Sequence, residues 1–195
     1  MLSKLARKPI ALGVAAVVIV ALAFGLFWFQ PWKLWTTNTV DEELPVAAAP
    51  SDSAATASDG TTPDGPSTAD DPTIAHLLAE GEFITHEHET TGTAQLFRQP
   101  DGKVVLALAG LKTSDGPDLR VWITDQAVEK DAWDVFDDGY YVELGELKGN
   151  KGDQLYEVPE GTDLTKITSV TVWCKRFSVS FGAALLAWSE ADETS

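Results

Sequence analysis

Three side chains in this sequence have the chemistry to carry electrons or to hold a metal ion: Cys174, His86 and His88. The stretch SVTVWCKRFSVSFG contains the only cysteine of the chain, and THEHE contains two of its three histidines. Residues two apart in an extended segment project from the same side, so the two imidazoles are expected to reach one ion together. With a thiolate they would complete the two-histidine, one-cysteine set of copper electron-transfer centres. The alternative is that one or both histidines are surface residues in the acidic neighbourhood of Glu82, Glu87 and Glu89.

The residues around Cys174 leave its role open. Val170, Val172 and Cys174 share the apolar face of a predicted strand, and the apolar positions change parity directly after the cysteine, which predicts a turn or a bulge there. Lys175 and Arg176 flank the thiol and are expected to lower its pKa. The thiol is therefore an inert core residue, a redox-active group or a ligand. Because the chain has no second cysteine, it can also link two chains as a disulfide dimer.

The segment that must position these residues, 73–190, is predicted to be one β domain. Short alternating runs separated by turn residues favour an all-β antiparallel sandwich or small barrel. A short N-terminal helix of one or two turns is predicted over 73–81, and a further helical turn over 163–166. The predicted strands are 93–97, 104–108, 119–124, 140–144, 154–158, 169–174, 177–181 and 183–188.

The N-terminal segment 1–35 is predicted to contain one transmembrane helix. The run 10–29 has no charged residue and is long enough to cross the hydrocarbon core of a bilayer. A signal peptide cleaved near Ala21 to Ala23 is the alternative. Basic residues precede the run and acidic residues follow it, which predicts a single-pass protein with a cytoplasmic N-terminus and its C-terminal domain outside. The lipid bilayer is thus an expected partner.

Residues 36–72, rich in Ala, Ser, Thr, Pro and Asp, are predicted to be a disordered linker that holds the domain clear of the membrane, and 191–195 a flexible tail. All 30 acidic residues follow position 40, against 10 of the 14 basic ones, so this part carries a formal charge of −20. A field of this sign repels nucleic acid, which is therefore not expected to be a partner.

Four separated motifs, in order, resemble the DM13 domain: GEFITHEHETTGTAQLF, DGKVVLALAGLKTSDGPDLRVWIT, YVELGELKGNKGDQLYEVP and SVTVWCKRFSVSFGAALL. The similarity covers about Gly81 to Leu186 and is to a membrane-anchored, bacterial-type member. It implies a β-rich domain related to DOMON domains, with a proposed electron-transfer role. It places the family cysteine on Cys174, as a naked thiol or as a ligand to a group such as haem. The family histidine falls on His88, and two further motifs fall on 116–118 and 148–154.

Two functions remain open from the sequence. The preferred one is a membrane-anchored redox module in which Cys174, with His88, transfers electrons outside the membrane, with haem, copper or no cofactor and with a redox protein as partner. The other is a noncatalytic cell-surface interaction domain with Cys174 as a packed structural residue. Covalent c-type haem is excluded because the chain has no Cys-x-x-Cys-His motif.

Overall fold

The computed structural model describes residues 7–45 and 75–189. The chain begins with helix α1 (Arg7–Phe29), a 3-10 helix (Pro31–Trp35) and strand β1 (Thr39–Asp41). A second 3-10 helix, Leu164–Lys166, confirms the predicted helical turn. Nine further strands follow within the described residues: β2 (His76–Thr85), β3 (Thr91–Arg98), β4 (Val104–Lys112), β5 (Leu119–Thr124), β6 (Tyr141–Glu146), β7 (Lys151–Glu157), β8 (Ser169–Cys174), β9 (Val179–Leu185) and β10 (Ala187–Trp188).

The strands form one curled sheet, a half-barrel, which confirms the predicted all-β fold. The strand order is β1, β7, β4, β3, β2, β9, β8, β5, β6, and β10 pairs with β2. Every pair is antiparallel except β1 with β7. Antiparallel neighbours need only short connections, which is why turn residues separate the strands in the sequence.

Apolar side chains fill both the inner face of the half-barrel and part of its outer face. The even-numbered residues of β8, Cys174 among them, join the inner core as predicted. Trp173 points to the outer face, where its ring stacks on Trp122 at 5.2 Å and meets Phe136 edge-on at 6.3 Å. Phe136 comes from the segment that connects β5 to β6. All six residues of β8 are therefore buried.

The predicted irregularity after Cys174 is confirmed as a turn followed by a bulge. Residues 175–178 form the turn, with Ser178 at a φ of 51°. The register then shifts between Val172 and Trp173, which leaves Phe181 of β9 as the extra residue. The strands predicted over 177–181 and 183–188 are observed as β9, which begins at Val179, and the short β10.

The helix predicted over 73–81 is wrong for the residues that the structure describes. Residues 76–81 belong to β2, which pairs with β3 on one side and with β9 and β10 on the other. A register shift between Leu77 and Ala79 buries Leu78 and Ala79 in succession. The strand thus lacks the alternation that identifies a strand in a sequence, and its pairing with three neighbours overrides the local helical preference.

The first part of the predicted linker is ordered against the domain. β1 lies along β7, and the Glu42 carboxylate beside it binds Lys148 Nζ at 2.8 Å and the backbone N–H of Leu155 at 2.7 Å. These two partners lower the pKa of Glu42. Residues 46–72 of the predicted linker and the tail 191–195 lie outside the described residues.

α1 is, among the described residues, the one helix long and apolar enough to cross a membrane. A signal sequence near the N-terminus has the same properties. The end of α1 contacts the β domain, because Phe29 stacks on Phe177 at 5.9 Å and Arg176 donates a hydrogen bond to the Trp28 carbonyl. Just beyond the helix, Lys33 Nζ donates to the carbonyl of Gly116 at 2.9 Å.

Candidate functional site

Four segments far apart in the sequence meet at one end of the half-barrel. They are the bend 86–88, the Gly-Pro-Asp turn 116–118, the hairpin loop 147–150 and the turn 175–178. A cavity of about 430 Å³, called the α1 groove below, is lined by residues of the bend, the two turns and the end of α1. A smaller cavity of about 190 Å³ lies between the Gly-Pro-Asp turn and the hairpin loop. This end of the sheet is the candidate site.

Cys174 lies behind this end of the sheet and is completely enclosed, with 0% of its surface exposed. Its neighbours across the ladders are Leu119 and Val179, which line the smaller cavity and the α1 groove respectively. Burial raises the pKa of the Cys174 thiol, against the opposing effect of the backbone N–H groups of Phe177 and Arg176. The thiol is therefore neutral at physiological pH.

The expectation that Lys175 and Arg176 lower the pKa of Cys174 is wrong. Lys175 Nζ binds the Glu143 carboxylate at 3.0 Å, and the Arg176 guanidinium lies over the Trp28 ring at 5.4 Å from its centroid. Both cations are thus directed to other partners, while the thiol points to the core. Lys175 and Arg176 follow Cys174 directly in sequence, but their charges do not lie near its thiol, because the side chains of a turn point in different directions.

The two histidines lie in different layers. His86 is buried, and its Nδ1 lies 2.9 Å from the Ser180 hydroxyl, which accepts a hydrogen bond from Thr171 Oγ1 at 2.8 Å. The ring of His86 packs 5.6 Å from Phe136 in the outer aromatic cluster. Burial lowers the pKa of His86, although the nearby Glu129 carbonyl favours the protonated form. That carbonyl does not make a hydrogen bond of good geometry, since Nε2 has no such partner.

His88 is half-buried and lines the α1 groove. Its ring lies 4.0 Å from that of Phe181, between centroids. Burial lowers the pKa of His88, and the charge of Glu87 opposes this shift only in part. The imidazole is therefore mainly neutral near pH 7 and offers one donor and one acceptor nitrogen.

The structure does not assemble the predicted metal site of His86, His88 and Cys174. Residues 86–88 form a bend instead of an extended segment, so the two rings do not share a side. Across residues 7–45 and 75–189, no three His, Cys, Asp or Glu side chains are grouped so that they could hold a metal ion. Cys174 lines neither cavity at this end of the sheet, so its sulfur also does not reach a space for haem. The arrangement therefore fits neither copper nor cysteine-ligated haem.

The Gly-Pro-Asp turn packs tightly over the core next to Cys174. A Cβ on Gly116 would lie 3.0 Å from the Leu119 and Phe181 side chains, so a larger residue would require these side chains to shift. Asp118 binds Arg120 Nε at 2.8 Å, and Arg120 also reaches Glu143 at 3.3 Å. The turn is thus fixed from both sides.

The hairpin loop 147–150 is held by two side chains of the following strand, β7. Gln154 donates a hydrogen bond to the Gly149 carbonyl at 2.8 Å and accepts one from the Gly149 N–H at 3.2 Å. Tyr156 donates its hydroxyl hydrogen to Gln154 at 2.8 Å, and burial raises the pKa of Tyr156 to about 12. These contacts agree with a tight hairpin and leave the loop few free donors for an anion.

Trp122 and Trp173, which the sequence places in the core more readily than on an aromatic surface, are buried in the outer aromatic cluster that packs against His86. Trp122 and Tyr141 stack at 4.2 Å, and Trp122 in turn stacks on the buried Trp173. The signal for it is a tryptophan between the core residues Val172 and Cys174, at a position where a one-sided strand would carry a polar side chain.

The described part of the chain is thus a small curled β domain that brings Cys174, His88 and the Gly-Pro-Asp turn to one end of its sheet. The sequence profile of the DM13 family, described as an electron-transfer family, matches residues 82–186, more than half of the chain. The chain belongs to the DM13 family. No curated protein and no solved structure shows a significant match.

Proposed function

We propose that this chain is an electron-transfer module tethered to a membrane by α1, with its β domain outside the cytoplasm. The redox centre in this proposal is the end of the half-barrel that contains Cys174 and His88, and its partner is another redox protein. Membership of an electron-transfer family carries the proposal. The meeting of the family motifs at one end of the sheet supports this choice of centre, because separate segments gather where a domain has a shared task.

The burial of Cys174 restricts the chemistry of such a centre. A thiol with no exposed surface and a raised pKa is a poor nucleophile, so thiol–disulfide exchange in the native state is not part of the proposal. A disulfide dimer through Cys174 would likewise require the turn 175–178 to open. Transfer of electrons through the closed protein remains the form of redox chemistry that this geometry favours.

The test uses the full chain purified from its own host. Voltammetry is expected to detect electron transfer to or from the chain, with a signal that is lost in Cys174→Ala while the circular dichroism spectrum is retained. Val172→Ala is the matched control, because Val172 is equally buried on the same face of β8. Absence of any redox signal in the wild-type protein would end the proposal.

A noncatalytic cell-surface domain is the second candidate, and the complete enclosure of Cys174 is the observation that favours it. In that case Cys174 contributes only packing, as buried free cysteines commonly do. Cys174→Ala would then change stability alone. Binding of a protein partner that is unaffected by this substitution, in a chain without redox activity, would favour this candidate.

A further inference from the structure

The α1 groove has walls from two parts of the chain and a size that suits a small organic ligand. Phe29 and Pro31 at the end of α1 face Phe177, Val179 and Phe181 of the β domain. Its volume of about 430 Å³ falls in the range of known ligand sites, roughly 300 to 1,000 Å³. The stacking of Phe29 on Phe177 at 5.9 Å joins the two walls into a single site.

The polar groups of the groove favour a neutral ligand. Lys33 is already bound to the Gly116 carbonyl at 2.9 Å and lies 3.7 Å from the Asp115 carboxylate. Asp115 and Glu87 both line the groove, so an anionic headgroup would meet two carboxylates and no free cation among the lining residues. His88 remains as a neutral hydrogen-bonding group beside the aromatic ring of Phe181.

The position of the groove indicates where such a ligand comes from. Phe29, the last residue of the apolar helix α1, is itself part of the wall. Trp28 and Trp32, on either side of this point, are of the residue type that is enriched at the interface of a bilayer with water. A ligand dissolved in the bilayer would therefore reach the groove without crossing the aqueous phase.

We propose that the α1 groove binds the head ring of a lipid-soluble quinone, with Phe177 and Phe181 packed against the ring and His88 donating a hydrogen bond to one carbonyl oxygen. The quinone class combines a flat neutral ring, hydrogen-bond acceptors at its edge, solubility in the bilayer and redox activity. The choice of a redox ligand and of the bilayer as its source rests on the proposed function. Binding itself does not involve Cys174.

The test measures binding of decylubiquinone, a short-chain benzoquinone, to the full chain in phosphatidylcholine nanodiscs by calorimetry. Saturable binding is expected, and His88→Ala and Phe177→Ala are each expected to raise the Kd by about three- to tenfold, the effect of losing one hydrogen bond or one ring contact. His76→Ala and Tyr141→Ala are the controls and should leave the Kd unchanged. Tyr141 and Phe177 are matched in exposure, both at 42%.

Three outcomes would overturn the inference: no saturable binding, equal losses in the control variants, or displacement of the quinone by diacylglycerol or phosphatidylglycerol as readily as by quinone itself. The last outcome would identify a lipid site. Cys174→Ala is expected to bind decylubiquinone normally. The two proposals can therefore fail separately. A chain that binds quinone but shows no redox activity would contradict the proposed function, whereas a chain with redox activity that does not bind quinone would contradict this inference alone.

Discussion

Cys174 and His86 are buried on folding and His88 is half-buried, and in each case burial shifts the pKa toward the neutral form. At neutral pH the candidate site therefore has no charge on its thiol or its imidazoles. Its charged groups are the ion pairs at the rim, such as Asp118 with Arg120 at 2.8 Å. Burial penalises every charged form of such a site. An electron can therefore enter or leave it only if a proton, or an opposite charge on a partner, compensates the change in charge.

The pKa of His86 predicts how stability depends on pH. The folded pKa lies below the usual 6.5, so the unfolded chain binds more protons below about pH 6.5, and stability falls as pH decreases through that value. His88 contributes in the same direction. Urea unfolding at pH 7.5 and 5.5 is expected to show lower stability at the lower pH.

His86→Gln provides the control for this prediction, because glutamine can keep a hydrogen bond to Ser180 without titrating. The difference in stability between pH 7.5 and 5.5 should be smaller in this variant than in the wild type. Equal differences in the two proteins would contradict the assignment to His86. The carboxylates of Glu42 and Asp163 stay ionised between pH 5.5 and 7.5, because their pKa values are lowered.

Sequence patterns predicted the inner-face position of Cys174 and the irregularity after it, because both follow from the alternation along a strand. They left open whether the thiol is enclosed or chemically accessible. The residues that cover Cys174 come from other parts of the fold, among them Leu119 and Phe181. The metal site was not predicted correctly for a related reason. The bend at 86–88 is formed by hydrogen bonds to Ser180 and Phe181 of β9, a strand distant in sequence.

Among the strands, β5 and β8 have the bounds that the sequence predicts, 119–124 and 169–174. Both are apolar runs that turn residues or loops separate from their neighbours. β1 and β2 were not predicted. β2 lacks alternation where Leu78 and Ala79 are buried in succession, and β1 depends on a partner strand distant in sequence. β1 has only three residues and pairs with β7 more than a hundred positions later. A local sequence pattern does not predict a pairing between strands so far apart in the chain.

The pairing of β1 with β7 depends on Gly152. This glycine has a φ of +94°, and a Cβ on it would collide with the carbonyl oxygen of Val40 in β1. Gly152→Ala is therefore expected to separate β1 from the sheet, in addition to the cost of about 1 kcal/mol for a left-handed alanine. Hydrogen exchange in a peptide covering 36–45 should become faster.

Gly102→Ala is the matched control, because Gly102 has a similar φ of +85° but open space around its Cβ position. It should lose only the cost of a left-handed alanine, about 1 kcal/mol, without faster exchange in residues 36–45. Equal exchange in the two variants would show that β1 does not rely on the close approach to Gly152.

For the molecule as a whole, the contacts of α1 with the β domain predict that the N-terminal segment is retained. A signal peptide that is removed would have no use for the stacking of Phe29 on Phe177 or for the hydrogen bond from Arg176 to Trp28. The intact mass of the protein purified from its own host is expected to include α1, and the protein should stay with the membrane after alkaline carbonate extraction. A mature chain that begins after Ala23 would exclude the anchor.

The same contacts change the expected distance between the domain and the bilayer. A linker over 36–72 would hold the domain about 30 Å from the membrane. With α1 ending against Phe177 and β1 paired to β7, the candidate site faces the end of the helix. With α1 spanning a bilayer, as proposed above, these contacts would place the domain close to the bilayer surface.

The parallel pairing of β1 with β7 also means that residues 46–74 connect two points of one folded body, since the chain re-enters the same sheet at β2. A single protease cut within that connection would leave two fragments that stay associated through β1 and the contacts of α1. Release of the domain after such a cut therefore requires the contacts of β1 with β7 and of Phe29 with Phe177 to break as well.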